Sequence, residues 1–300
     1  MTVLGLSIPG ILDAARFQLV ANKGVGTYRM IYQAMNACPN GPTGCQICNY
    51  PAGRIGWHPQ PIEQVDVDVQ GLVRGAWGKP NLVPNRWRLT PVTLVVDGQE
   101  YGEGDGFSIR GREIHWHEDA PVGDQGRFGL QYRAFREDWV SVQHAYVDFA
   151  GGPRQAEKSL NLKWGQVDQG MIAVTVPATS AGYRLTQSDR FIPVDAEMEF
   201  DATLDTRAGD THCRHHFVSE IVKAYGLDET QTREVEVLGV GYDFRRGRFT
   251  LPKGPLPPKL VVKYRAAPIY TVFLDQGEFR NQHSQLHGKL VVLQREEIAR

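Results

Sequence analysis

Residues 62–70 read IEQVDVDVQ and residues 92–101 read VTLVVDGQEY, and both stretches carry the patterns of β-strands. In the first, the valines alternate with polar residues, which is the pattern of a strand with one buried face. In the second, Asp97-Gly98 separates two short β-prone runs, and this dipeptide is a strong hairpin signal. The sequence therefore predicts a β-meander over this region.

A similar order of strands and turns occurs twice in the chain. One copy ends at Tyr132-Arg133-Ala134 and the other at Tyr264-Arg265-Ala266, and a Gly-Arg turn precedes each ending. A recurring supersecondary pattern indicates a repeated unit. We therefore predict that residues 86–134 and 236–267 are similar β units.

The fold class predicted from these patterns is mainly β, with tandem β-sandwich or barrel-like modules. Apolar residues between Gly10 and Met35 recur at roughly helical spacing, which predicts a short N-terminal helical segment, followed by a Cys-stapled loop. We divide the chain into four segments. They are an N-terminal helical segment and Cys-rich knuckle (1–60), a first β module (61–143), a connection and middle β region (144–235), and a second β module with a C-terminal strand (236–300).

Composition narrows the range of functions. The 300 residues include 33 basic and 34 acidic side chains, for a net charge of -1. Such a balance is unfavourable for general phosphate binding, so we expect no sequence-specific nucleic-acid partner. Because no apolar run reaches the ~18–20 residues of a membrane span, and residues 1–10 do not resemble a signal peptide, we also expect no membrane partner.

Three of the four cysteines cluster as Cys38, Cys45 and Cys48, and the fourth is Cys213. A Cys-x-x-Cys turn places two thiolates close together, as a tetrahedral zinc site requires. We predict Cys213 as the fourth ligand, with His58 or one of His212, His215 and His216 as alternatives. An iron–sulfur cluster, disulfides and inert thiols stay open as other interpretations.

His115 and His117 are two residues apart on a predicted strand, so both imidazoles point to one face. Some metal-dependent β-barrel enzymes present two histidines in this way. The carboxylate Glu118 follows immediately, on the opposite face. We therefore interpret the pair as surface histidines, with a metal-dependent enzyme as the alternative. We assign no catalytic residues.

The order of the modules resembles that of structural proteins from the neck, tail or baseplate of tailed-bacteriophage virions. The stretches that carry the resemblance are the Cys-x-x-Cys knuckle, HPQPIEQVDVDVQGL (58–72), the hairpin module, VTVPATSAGYRLTQSDRFIPVDAEMEF (174–200) and YRAAPIYTVFLDQGEFRNQ (264–282).

This resemblance implies a non-enzymatic connector that is made in the host cytoplasm and incorporated into the virion. Its partners would be other neck or tail proteins and further copies of itself in a ring, and the clustered cysteines would hold a structural metal. The alternatives are a baseplate or tail-tip component with an iron–sulfur or zinc site, the His115/His117 enzyme, and a carbohydrate-binding β-sandwich with exposed aromatic residues.

Overall fold

The structure, a computed structural model, describes residues 2–3, 6–7, 26–38, 57–75, 81–145, 171–209, 211–227, 234–280 and 286–296. Nearly all of its regular elements are strands. In chain order they are β1 (Thr2–Val3), β2 (Leu6–Ser7), β3 (Gly26–Gln33), β4 (Met35–Ala37), β5 (Trp57–Pro59), β6 (Gln64–Val73), β7 (Thr93–Val96), β8 (Gln99–Tyr101), β9 (Phe107–Arg110), β10 (Glu113–Trp116), β11 (Arg127–Phe135), β12 (Asp138–Ala145), β13 (Met171–Pro177), β14 (Arg190–Pro193), β15 (Met198–Asp205), β16 (Val218–Leu227), β17 (Glu234–Glu236), β18 (Gly241–Asp243), β19 (Arg248–Thr250), β20 (Lys259–Ala266), β21 (Tyr270–Arg280) and β22 (Leu286–Arg295). Among these residues, the one helical element is a 3₁₀ turn, Ala181–Arg184.

Six strands close an antiparallel barrel in the order β12-β13-β22-β21-β14-β3. Its interior is filled by apolar side chains such as Met30, Val174, Phe191 and Leu293. β13 and β22 run so close together that a Cβ at Gly288 would lie 2.5 Å from the backbone oxygen of Val176. Glycine is therefore required at that contact.

Residues 64–135 form the first module, a four-stranded antiparallel sheet in the order β6-β11-β7-β8. Asp97 and Gly98 adopt φ angles of 51° and 82° between β7 and β8, as a type I′ hairpin turn requires. Phe107 and Ile114 of the β9–β10 hairpin share one core with Leu94 and Leu130 of the sheet. The hairpin therefore covers one face of the sheet.

Residues 198–266 form the second module, with the strand order β15-β20-β16-β17 and the hairpin β18–β19. This is the strand order of the first module, since each sheet has a long central strand, β11 or β20, with matching neighbours on both sides. The sequence predicted similar units at residues 86–134 and 236–267. The structural correspondence is longer, because it also includes β15 and β16, which precede residue 236.

Hydrogen bonds outside the ladders also correspond. In the first module Val83 N donates to Arg112 O (2.8 Å) and Ile114 N donates to Asn81 O (2.9 Å). In the second, Cys213 N donates to Gly247 O (3.0 Å) and Phe249 N donates to Thr211 O (2.8 Å). Val83 and Cys213 therefore occupy equivalent positions.

The two modules interrupt the barrel strands at matching points of the chain. β3 precedes the first module, and β12 and β13 follow it; β14 precedes the second, and β21 and β22 follow it. Around the first module, β3 pairs with β12 and β12 pairs with β13. Around the second module, β14 pairs with β21 and β21 pairs with β22 in the same way. By contacts, the chain divides into Pro61–Glu137 and a unit that combines Met1–Gln60 with Asp138–Arg300.

The predicted N-terminal helical segment is not supported. Residues 26–33 form the barrel strand β3, paired with β12 and β14, and residues 11–25 lie outside the described residues. Met30 and Ile31 are both 0% exposed, so this strand is buried on both faces and lacks the alternation that marks a half-buried strand. Within the range of the predicted connection and middle β region (144–235), the described residues form the strands β13, β14, β15 and β16.

The predicted Cys-stapled loop is not supported either. Of the clustered cysteines, Cys38 alone lies within the described residues, where it is buried at the end of β4, and Cys45 and Cys48 lie outside them. The part of the chain that the structure describes contains no helix long and apolar enough to cross a membrane.

Candidate functional site

The described metal-ligand candidates are Cys38, Cys213, His58, His212, His215 and His216. Cys38 and Cys213 are 8% and 3% exposed, and His58 lies opposite Asn36 in the β4–β5 pair. The described residues contain no group of three or more His, Cys, Asp or Glu side chains placed to hold a metal. A zinc or iron–sulfur site that includes Cys45 and Cys48 stays a prediction.

Cys213 belongs to the hydrophobic core of the second module. Burial raises the pKa of its thiol to about 11, although hydrogen bonds from the backbone of His215 and from the Tyr264 side chain favour the thiolate. A thiol with such a pKa is a weak nucleophile at neutral pH. Since its counterpart in the first module is Val83, we interpret Cys213 as a core residue.

A buried histidine and a tyrosine fix the loop before β16. His215 is 2% exposed, its Nδ1 lies 2.8 Å from the Tyr264 hydroxyl, and its ring stacks on Phe200 with centroids 3.9 Å apart. In the first module, the hydroxyl of Tyr132 donates to Asn85 Oδ1 at 3.0 Å. Both pairs therefore tie the same loop to the central strand of its sheet.

A side chain from the covering hairpin holds the carbonyl groups of that loop in each module. The Tyr242 hydroxyl lies 2.9 Å from the carbonyl oxygens of His215 and His216. Burial raises the pKa of Tyr242, which keeps its hydroxyl a donor. In the first module, the Arg112 guanidinium donates to Val83 O (3.1 Å) and Pro84 O (2.8 Å). In each module a hairpin side chain thus satisfies carbonyl groups of this loop, although the carbonyls bound by Tyr242 lie two positions further along the loop than those bound by Arg112.

The loop also contains His216, whose pKa is lowered by burial and, secondarily, by the nearby His212. Both effects disfavour the imidazolium form. His216 is therefore a neutral part of the loop at neutral pH.

His115 and His117 lie on the outside of the first module. The His115 side chain is 42% exposed, with its Nε2 3.8 Å from Glu113 Oε2, and His117 is exposed, with its Nε2 3.1 Å from Ser108 Oγ. The imidazoles thus have separate local partners on an exposed surface. This arrangement matches the interpretation as surface histidines.

The outer faces of the two sheets carry cross-strand charge pairs. Asp66 of β6 lies 3.5 Å from Arg133 of β11, and Glu220 of β16 lies 3.0 Å from Arg265 of β20. The polar residues that alternate with the valines of β6 therefore lie on a solvated sheet face. Exposed pairs of this kind contribute ~0–1 kcal/mol each.

Among the described tryptophans, Trp139 alone is classed as exposed. Trp139 on β12 is 51% exposed, with the Arg29 guanidinium 5.8 Å from its ring centroid. Trp57, Trp87 and Trp116 are only partly exposed, and Trp77 and Trp164 lie outside the described residues. This arrangement gives no support to stacking on a sugar.

The sequence analysis did not identify two surface features at opposite ends of the second module, a cleft that contains arginines and a sheet edge with exposed apolar residues. The β18–β19 turn borders an open cleft of about 550 Å³, lined by two arginines, two threonines and two further residues: Arg246, Arg248, Thr211, Thr250, Asp243 and Phe249. At the other end, Val235 on the edge strand β17 is 46% exposed, and Leu238 in the following loop is 78% exposed. Exposed apolar residues beside a sheet edge are typical of contact surfaces.

Neither a protein-family model nor a curated protein gives a significant match to this chain.

Proposed function

We propose that this chain is a non-enzymatic structural subunit of a tailed-phage particle. It associates with itself into a ring at the head–tail junction or in the tail, and joins neighbouring rings of other virion proteins. The observation that carries the proposal is the duplicated plan, with two modules of one strand order at matching points of a barrel.

A duplicated plan suits assembly because each copy offers two similar units to its neighbours. A closed ring of n copies then presents 2n such units, and the differences between the two modules allow each to meet a different surface. Rings form when a contact between unlike surfaces closes on itself.

The buried residues with reactive side chains in the second module support the interpretation as a non-enzymatic structural subunit. Cys213 and His215 perform the structural roles that Val83 and Asn85 perform in the first module, and Tyr242 donates to carbonyl groups of the loop that contains His215. Their residue types are therefore accounted for by packing and by loop hydrogen bonds.

Two measurements on the full chain test the proposal. Light scattering coupled to size exclusion, followed by electron microscopy, is expected to show closed rings. In lysates of the infected host, the chain is expected to sediment with assembled particles. A chain that stays monomeric at its highest soluble concentration, and that is absent from purified particles, would contradict the proposal.

A further inference from the structure

The second module carries patches of opposite charge. One patch, which we name the basic cleft, consists of Arg246 and Arg248 with the hydroxyls of Thr211 and Thr250. The carboxylate of Asp243, also in the cleft, already accepts hydrogen bonds from the backbone N–H groups of the turn, at Arg245 (3.0 Å) and Arg246 (3.3 Å). Asp243 Oδ2 also lies 3.6 Å from Arg246 Nε and partly neutralises it. Two arginines against one carboxylate still leave the cleft positive, so it favours an anionic group.

The second patch, which we name the acidic edge, consists of β17 and the loop after it. Glu234 and Glu236 are exposed on this strand, with Val235 between them and Leu238 beyond. Lys223 lies 3.7 Å from Glu234 and partly neutralises it. The described strands of this sheet leave the outer side of β17 unpaired, because β17 pairs with β16 alone. The edge therefore offers carboxylates, apolar side chains and backbone groups together.

The two patches lie at opposite ends of β16. The turn that borders the cleft is next to residues before the strand, since Cys213 N donates to Gly247 O at 3.0 Å. Glu236 pairs with Tyr225, near the other end. At ~3.3 Å per residue, the separation along the strand is ~25 Å. One copy cannot bring its own edge to its own cleft within a folded module, but two copies can.

At the equivalent positions the first module keeps a glutamate, Glu100 in place of Glu236, but lacks the cleft cation Arg248 and the exposed apolar Val235. Glu113 stands where Arg248 stands, since each forms the isolated bridge with the segment before the hairpin. Gln99 stands where Val235 stands, as the registers of β8 and β17 show. The shared strand order therefore does not require these residues, and the difference indicates a contact made by the second module alone.

We propose that the acidic edge of one copy docks in the basic cleft of the next, so that second modules join head to tail. This inference rests on the proposed self-association and names the surfaces that perform it. Glu234 and Glu236 approach Arg246 and Arg248, and Val235 and Leu238 become buried at the contact. Complementary charge orients the two copies, and burial of the apolar side chains stabilises the contact.

The test is charge reversal in the full chain, followed by sedimentation velocity over a range of concentrations. Glu236→Arg alone and Arg246→Glu alone are each expected to weaken association by at least about tenfold, because like charges then meet. The double variant with both reversals is expected to restore association. Glu100→Arg, at the equivalent position of the first module, is the matched control and is expected to associate like the unmodified chain. Leu238→Ser tests the apolar part and is expected to weaken association without a change in thermal midpoint.

The outcomes separate the inference from the proposed function. If the unmodified chain assembles and the single reversals leave its association unchanged, the docking surfaces are wrong while the proposed ring stands. If the single reversals weaken association and the double variant does not recover, the direct pairing of edge and cleft is wrong. A monomeric unmodified chain would overturn both.

Discussion

Replacing His215 by asparagine tests whether the two modules use one architecture. His215 is 2% exposed and bonds the Tyr264 hydroxyl through Nδ1 at 2.8 Å. Its counterpart Asn85 bonds the Tyr132 hydroxyl at 3.0 Å. Asparagine at position 215 can therefore keep a hydrogen bond to Tyr264, but it loses the stacking of the ring on Phe200.

The expected cost follows from these contacts. Loss of the stacked ring in His215→Asn should lower the local stability of the module by about 1.5 kcal/mol. His215→Ala loses the ring and also the buried hydrogen bond, which adds about 1–3 kcal/mol. We therefore expect about 3–4 kcal/mol for alanine, and the difference between the two variants measures the hydrogen bond that the modules share.

Native-state hydrogen exchange is the suitable measurement, because no tryptophan lies in residues 198–266 to report on this module by fluorescence. Peptides from 213–227 and 259–266 should exchange about tenfold faster in His215→Asn and a few hundredfold faster in His215→Ala. Peptides from 64–135 serve as the internal control and should not change. Equal acceleration in the two variants would refute the shared architecture.

Three further predictions concern single positions. Gly288→Ala should lower the free energy of unfolding by about 3 kcal/mol in a thermal unfolding experiment, because the new Cβ would lie 2.5 Å from the backbone oxygen of Val176. Gly123→Ala is the control and should have no effect, because no atom lies within 4 Å of its Cβ position. Cys213→Val should change the free energy of unfolding by less than about 1 kcal/mol, because valine occupies the equivalent position of the first module. The native thiol, with a pKa of about 11, should react slowly with a disulfide reagent near neutral pH. Rapid labelling of the folded chain would contradict this expectation. If the cysteine loop holds zinc, Cys45→Ser should lower both the thermal midpoint and the zinc content by elemental analysis, and no change in either would exclude the zinc site.

Strands with one exposed face were predictable from sequence, and strands buried on both faces were not. β6 alternates Val65, Val67 and Val69 with polar residues, and the hairpin turn at Asp97-Gly98 needs the φ angles that these residues tolerate. In β3, the apolar residues fit a helical period as well as a strand. Its pairing with β12 and β14 joins residues more than 100 positions apart. No local pattern contains that information.

The duplicated modules were only partly visible in the sequence for a related reason. Tyr132 and Tyr264 match because each fills a core position and bonds a loop. The partners of the two tyrosines, Asn85 and His215, share a hydrogen-bonding role but no residue type. Val83 and Cys213 share only size and burial. Residues that share a structural role but differ in type are identified by their hydrogen bonds and strand register, and a comparison of residue types does not find them.

Comparison of the two modules also separates structural residues from residues available for function. Where Cys213 or His215 has a counterpart with the same contacts, the fold accounts for the residue, so its reactive side chain is no argument for catalysis. Arg248 and Leu238 are different, because an exposed cation and a 78% exposed leucine contribute little to the core of their own module. Exposed apolar surface also carries a cost in solubility, which a contact with another copy would offset. The surface differences between the modules are therefore where the interactions of this protein should be sought.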